Sequence, residues 1–338
     1  MISRRKKFYS ITPELRGYLS DFERQSTVPL VYNDLLDFVD AIPYENPEGE
    51  ETLWLEVMYR PEVMARLRTQ LTQIYAMLKI GGDSSLAEHL TVERIDFGEF
   101  GNSKPFRVRI TNLFNGNSDY YYVKHADASR IFGLELEHIL SPNRINYLVN
   151  GNTLIEEHIA GVPGNVFIER YLGKEDLNAV RIAKEFVKFS ERCFLRLLGD
   201  MRTVNYIVDI TPDFEEVQYR VRPIDFDQQS YEGNLSVYQS HQFGDNQPVV
   251  DLVREKLNDR TIQQYRFEER TQMARRAQAD LGRLRELFRA LQRSEVAPVA
   301  HVRQLVAALD PTGEFYGGCG SMGALVERHL EHLLKVDL

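Results

Sequence analysis

Residues Leu197–Gln229 read LLGDMRTVNYIVDITPDFEEVQYRVRPIDFDQQ, and the rest of the chain can be placed around them. Asp200 closes an amphipathic segment, and Asn205 follows five positions later, just before the apolar run Tyr206-Ile207-Val208. A polar turn at Thr211-Pro212-Asp213 leads to a second strand-like run, Val217 to Ile224, ending in Asp225-Phe226-Asp227. Two runs rich in β-branched and aromatic residues about a polar turn specify a hairpin. A hairpin of this length lets Asp200, Asn205 and Asp225 converge at its open end. The helix that delivers Gly199-Asp200 spans Asn178 to Leu198, with Ile182, Ala183, Phe186, Val187, Phe189, Cys193 and Phe194 largely on one side.

Upstream, Thr91 to Phe97, Phe106 to Asn112 and Tyr120 to His125 have strand composition. The first two are separated by Gly98-Glu99-Phe100-Gly101-Asn102-Ser103, a turn whose backbone N–H groups can face phosphate oxygens. The third ends at Lys124. A helix over Ala128 to Leu140 follows, its apolar arc set by Ile131, Phe132, Leu136, Ile139 and Leu140. Glu135 falls inside that arc and Glu137 outside it. A carboxylate on an inward face needs a cation, so Glu135 is the expected partner of Lys124, with Glu137 second. Two further strands, Arg144 to Val149 and Thr153 to Ile159, flank an Asn-Gly turn at Asn150. The second runs into Glu156-Glu157-His158-Ile159-Ala160-Gly161-Val162-Pro163-Gly164, where His158 reads as a turn or surface residue rather than a catalyst.

In this order these features resemble the protein-kinase-like phosphotransferases, over roughly residues 90 to 260. Similarity is strongest to the aminoglycoside phosphotransferase and choline kinase branch, because IDFDQQSYEG resembles the IDFE-type loop of choline kinases. A weaker resemblance is to bacterial isocitrate dehydrogenase kinase/phosphatase. The resemblance implies an α+β, bilobal fold with an antiparallel-sheet N-lobe (90–160), a helical C-lobe (161–338) and a helical N-terminal extension (1–89). It implies ATP and Mg²⁺ as cofactors and a hydroxyl of a small molecule or a protein as acceptor. Gly98, Gly101, Asn102, Ser103, Lys124 and Glu135 would hold the nucleotide phosphates, and the hinge at Glu157 and Ile159 the adenine. Asp200 would face the acceptor hydroxyl, with Arg202 near the γ-phosphate. Asn205 and Asp225 would be metal ligands, while Asp227 either assists the metal or only hydrogen-bonds the loop backbone. The chain departs from the family at Leu198, where a His or its equivalent is usual, and at Asp227, which replaces the glycine of a DFG loop. It also lacks an APE-like segment. A nucleotide-binding regulator without turnover, and AMP transfer on the same fold, are the alternatives.

The composition is ordinary for a soluble globular protein. The 338 residues are 43% hydrophobic and 27% charged. A net charge of −9 argues against nucleic-acid binding, and no apolar run approaches the roughly 20 residues of a membrane span. The start MISRRKK leads into no apolar signal core, and Cys193 and Cys319 make no disulfide framework. These features predict a cytoplasmic, reduced protein. Helices are expected from Pro13 (Thr12 as cap), from Asn33, and from Pro61 to the turn Gly81-Gly82-Asp83. Others are expected over Pro248–Leu257, Thr261–Gln292, Ala300–Leu309 and Met322–Leu334. Gly318–Gly323 satisfies G-x-G-x-x-G, yet the chain ends too soon after it for a dinucleotide-binding βαβ unit, so it is expected to be a helix-capping loop.

Overall fold

The structure, a computed structural model, describes residues 6–46, 49–80, 88–100, 102–213 and 217–338. The chain is mixed α+β and divides into two compact units. One comprises Met1–Asp127 with Ile145–His158, the other Ala128–Arg144 with Ile159–Leu338.

In the first unit, helix α1 (Pro13–Asp21) begins where Thr12 Oγ1 accepts from Leu15 N at 3.2 Å. Strands β1 (Asp40–Glu45) and β2 (Glu51–Met58) precede helix α2 (Pro61–Ile80), which is followed by β3 (Leu90–Gly98), β4 (Phe106–Asn112), β5 (Ser118–His125), β6 (Tyr147–Asn150) and β7 (Thr153–Glu157). They form one seven-stranded antiparallel sheet in the order β1-β2-β3-β4-β5-β7-β6. Along α2, Leu67, Leu71, Ile74 and Leu78 recur at three- and four-residue steps and are buried in one core with Val92, Phe106, Val108, Tyr121 and Val123 of the sheet.

The expectation that residues 1–89 are purely helical is corrected by β1 and β2. Trp54, Leu55 and Glu56 pair with Gly98, Phe97 and Asp96, so the sheet runs two strands further than the composition of 90–160 suggested. The signal was present as the β-rich run Thr52-Leu53-Trp54-Leu55-Glu56-Val57. Pro43 lies on the edge strand, where register shifts toward Glu45 and no ladder donor is required of it. The segment from Tyr32 to Leu36 is a short 3-10 turn rather than a longer helix. Gly81-Gly82-Asp83 and Gly101 lie outside the described residues.

The second unit opens with helix α3 (Ala128–Leu140) and continues with β8 (Val162–Pro163), α4 (Gly164–Arg170) and α5 (Ala179–Arg196). The hairpin β9 (Tyr206–Pro212) and β10 (Val217–Pro223) follows, in the expected place, with Val208 opposite Val221. Helices α6 (Gln247–Lys256), α7 (Asp259–Ala279), α8 (Leu281–Gln292), α9 (Val299–Leu309) and α10 (Met322–Leu334) complete it. The single helix expected over 261–292 is two, because Asp280 leaves helical geometry (φ −115°, ψ 30°). The glycine-rich tail is a cap: no strand precedes it, and Ser321 Oγ accepts from Ala324 N at 3.2 Å.

Helix α3 does not have a single inward arc. Twelve of its 13 residues are buried, both glutamates among them. Glu137, expected outside the arc, bonds Arg196 of α5, and neither side chain has any solvent exposure. A pair so buried gains little net energy when intact but is costly to break. Arg196→Met is expected to lower unfolding free energy by about 3–5 kcal/mol, by leaving Glu137 charged and alone. Glu137→Leu combined with Arg196→Met should recover most of that loss. Urea titrations of the three proteins check this; equal loss in the single and double variants would mean that packing, not charge, governs the site.

Candidate functional site

Helix α5 ends at Leu197, whose left-handed backbone (φ 51°) turns the chain sharply into Gly199-Asp200. A Cβ at Gly199 would lie 2.7 Å from Val237 Cγ1 and 3.2 Å from Gln228 O, so only glycine fits there. Asp200 is itself left-handed (φ 58°), a conformation that Asp tolerates better than bulky residues. Its N–H donates to Val237 O at 3.0 Å. Asn205 closes the loop, its Nδ2 donating to Asp200 O at 2.7 Å and to Asp200 Oδ2 at 3.4 Å. Ile224 N then donates to Asn205 O at 3.0 Å, which places Asn205 next to the strand end carrying Asp225. The loop thus joins Asn205 to Asp200, and Asp225 stands one residue past the Ile224–Asn205 bond.

The loop after β10 is tied to the same turn. Gln229 Nε2 donates to Arg196 O at 2.6 Å, and Ser230 N to Leu197 O at 2.8 Å. Phe226 is buried, directing its two neighbours the other way. Both meet a residue that the sequence reading did not single out: Arg130 Nη1 lies 2.8 Å from Asp225 Oδ1 and 2.6 Å from Asp227 Oδ1. Gly133, one turn further along α3, makes this approach possible. A Cβ there would meet Gln229 Cβ at 3.0 Å. Asp227 N also donates to Asp225 Oδ1 at 3.1 Å. The Asp225 carboxylate thus receives the Asp227 backbone, and both side chains share one cation.

Burial, then the charges of Asp225 and Asp245, push the Asp200 carboxyl up to about 6 from its ordinary 3.8, against the pull of Arg202 and the Asn205 hydrogen bond. A carboxylate with a pKa close to neutral is suited to taking a proton from a hydroxyl. Arg202 is anchored: its Nε lies 3.6 Å from Asp245 Oδ2, the oxygen that also accepts from Thr203 N and Thr203 Oγ1.

Among the described residues no group of three or more His, Cys, Asp or Glu side chains is gathered as a metal site. The donors that meet at one point are the carboxylates of Asp225 and Asp227. Magnesium takes that set, since it commonly binds one or two protein carboxylates and keeps its other positions for water and phosphate oxygens. The convergence of Asp225 and Asp227 on one cationic nitrogen shows that both oxygens can reach a single cation. The residues present fit the ion, provided that Arg130 yields its place.

In the first unit Lys124 is buried and bonds Glu156 Oε2 at 2.7 Å. In the second unit, Glu135 Oε2 accepts from Arg283 Nε (3.0 Å) and Nη2 (2.7 Å). The β5–β7 register explains the Lys124–Glu156 bond. Tyr122 lies opposite Glu156 and Lys124 opposite Leu154, so lysine and glutamate are diagonal neighbours on adjacent strands. Glu157 Oε1 accepts from Asn146 N at 2.8 Å, and Ile159 begins the next segment of the second unit. Gly98 has a packing reason for being glycine, because a Cβ would meet the Phe100 ring at 2.7 Å and the Trp54 ring at 3.2 Å. Ser103 is buried and Asn102 half-buried in the turn between β3 and β4. His158 bonds the Tyr122 hydroxyl at 3.1 Å and belongs to no group of three or more metal-type side chains among the described residues.

No family model matches the chain, and no curated protein matches it. Among solved structures it aligns with titin kinase and its flanking domains at 12% identity, covering 72% of this chain and 55% of that one, with a TM-score of 0.28. The autoinhibited serine kinase domain of the giant muscle protein titin aligns at 13% identity over 72% of this chain and 92% of that one, also with a TM-score of 0.28. The chain thus spans about half of the longer titin structure. Among the described residues no helix is long and apolar enough to cross a membrane.

The raised Asp200 pKa has a stability consequence whose sign is opposite to that of a salt-bridged aspartate. Between pH 3.8 and about 6 the folded protein holds a proton that the unfolded chain has released, so this group's contribution falls as pH rises through that window. Asp200→Asn cannot lose that proton. Its melting temperature relative to wild type is expected to climb from pH 4 to pH 6 and then level off. A difference that is flat across the window would show that Asp200 titrates normally.

Proposed function

We propose that this chain is an ATP- and Mg²⁺-dependent phosphotransferase, with a protein-kinase-like organisation, that acts on a hydroxyl group. The observation that carries the reading is the convergence at the open end of the hairpin. Asp225 and Asp227 share one cation, and Asp200, hydrogen-bonded to Asn205, is close enough to Asp225 for its proton affinity to respond. In this reading Asp200 orients the acceptor hydroxyl and takes its proton, and Asn205 holds the catalytic turn in shape. Asp225, with Asn205 and Asp227, holds the metal, which when bound offsets the charge of the transferring phosphoryl group. Lys124, steadied by Glu156, is the proposed phosphate-binding charge of the first unit. The resemblance of IDFDQQSYEG to choline kinase loops favours a small-molecule acceptor over a protein.

One observation favours a second reading, a nucleotide-binding regulator without turnover. Leu198 is fully buried and bridged to Gln229, at the position where kinase-like enzymes usually carry a His. ATP labelled at the γ- or the α-phosphate separates the readings, because phosphoryl transfer moves the first label, AMP transfer the second, and a regulator neither.

With Mg²⁺ and ATP at 100 times the dissociation constant, folding should gain about 2.7 kcal/mol, seen as a raised melting temperature. Asp225→Asn is expected to lose that shift and turnover together. Asp200→Asn should keep the shift while its rate falls roughly 10²–10⁴-fold. An Asp200→Asn variant as fast as wild type would remove Asp200 from the mechanism, and the absence of any melting shift at millimolar nucleotide would remove the nucleotide.

A further inference from the structure

We propose that Arg130 is a resident counter-cation of the metal site, and that a divalent ion enters between Asp225 and Asp227 only by displacing its guanidinium. Arg130 is 2% exposed, and one of its nitrogens bonds both carboxylates, at 2.8 and 2.6 Å. A guanidinium cannot release its charge by deprotonation, so it and a doubly charged ion would repel strongly at this spacing. The two occupants therefore exclude each other. The side chain is delivered by α3, which Gly133 allows within 3.0 Å of Gln229 measured from a Cβ placed on the glycine. Asp225 is 36% exposed, so an ion from solvent can reach the pair. Arg130 has a clear present role, since it keeps two neighbouring carboxylates from repelling each other when no metal is bound. The same bonds make metal binding weaker than the two carboxylates alone would give. This is a built-in threshold: the site fills when the ion arrives at sufficient concentration or already carries ligands that compensate for the guanidinium.

The inference rests on the metal-binding reading of Asp225, and Mn²⁺ alone, followed by the loss of the free-ion paramagnetic resonance signal, tests both without an activity assay. In the full chain Arg130→Gln is expected to bind Mn²⁺ at least about tenfold more tightly than wild type, because charge-assisted bonds no longer have to break first. Arg130→Lys, which keeps the charge but loses the fork geometry, should fall between them and serves if the glutamine variant fails to fold. Adding Asp225→Asn should abolish the gain. Wild-type binding that depends on Asp225 but is no tighter after Arg130 substitution overturns the inference and leaves the metal reading standing. Tighter binding that survives Asp225→Asn places the ion elsewhere and overturns the inference as well. No bound Mn²⁺ in any variant at millimolar ion overturns the inference and the metal reading together.

Discussion

The contact between Glu137 and Arg196, sealed from solvent, is the constraint on which the arrangement of the second unit depends. Through its side chain Arg196 fixes α3, and through its carbonyl it receives Gln229 from the loop that carries Asp225. One residue later the chain enters the left-handed turn that leads to Asp200. Helix α3, the Asp200 loop and the Asp225 loop are thus registered against the last turn of α5. Such a pair is a poor source of net stability, because removing two charges from water costs nearly as much as their attraction returns. Its effect is on specificity, since apolar packing alone would let α3 rotate or slide.

The same logic recurs along α3. Arg130 faces two aspartates, Glu135 faces Arg283 and Glu137 faces Arg196, so three successive charged positions each meet an opposite charge from a different segment. Ridge-and-groove packing tolerates small shifts, whereas three ion pairs at fixed spacing do not. The position of Arg130 against the metal-type pair follows from that indexing.

Much of this was legible in the sequence. The helix before Asp200, the hairpin, the Asp200–Asn205–Asp225 convergence and the closing helices all come from local patterns: hydrophobic period, turn chemistry and caps. What was not legible depends on which distant segments meet. The partner of Lys124 is set by β5–β7 register, and no local turn specifies that register, because a helix intervenes. The choice between Glu135 and Glu137 assumed that α3 has a solvent face; it has almost none, so a helical wheel cannot rank them. Arg130 could have been suspected, as a cation on a strongly apolar helix in a chain with a close pair of aspartates at 225 and 227, but the pairing distance is 95 residues. Strands β1 and β2 bury little, so their sequence carries little of the apolar alternation that marks a half-buried strand.

The separation in sequence of the α3 ion pairs bears on how the chain acquires its shape during synthesis. Glu137 waits 59 residues for Arg196, and Glu135 waits 148 residues for Arg283. Until those arginines leave the ribosome, α3 is an apolar helix carrying carboxylates that cannot be desolvated without cost. The nascent helix has reason to remain hydrated, which delays premature collapse around it. The second unit therefore settles late, when α8 has emerged, and its assembly is governed by contacts of long sequence separation, the kind that slow folding.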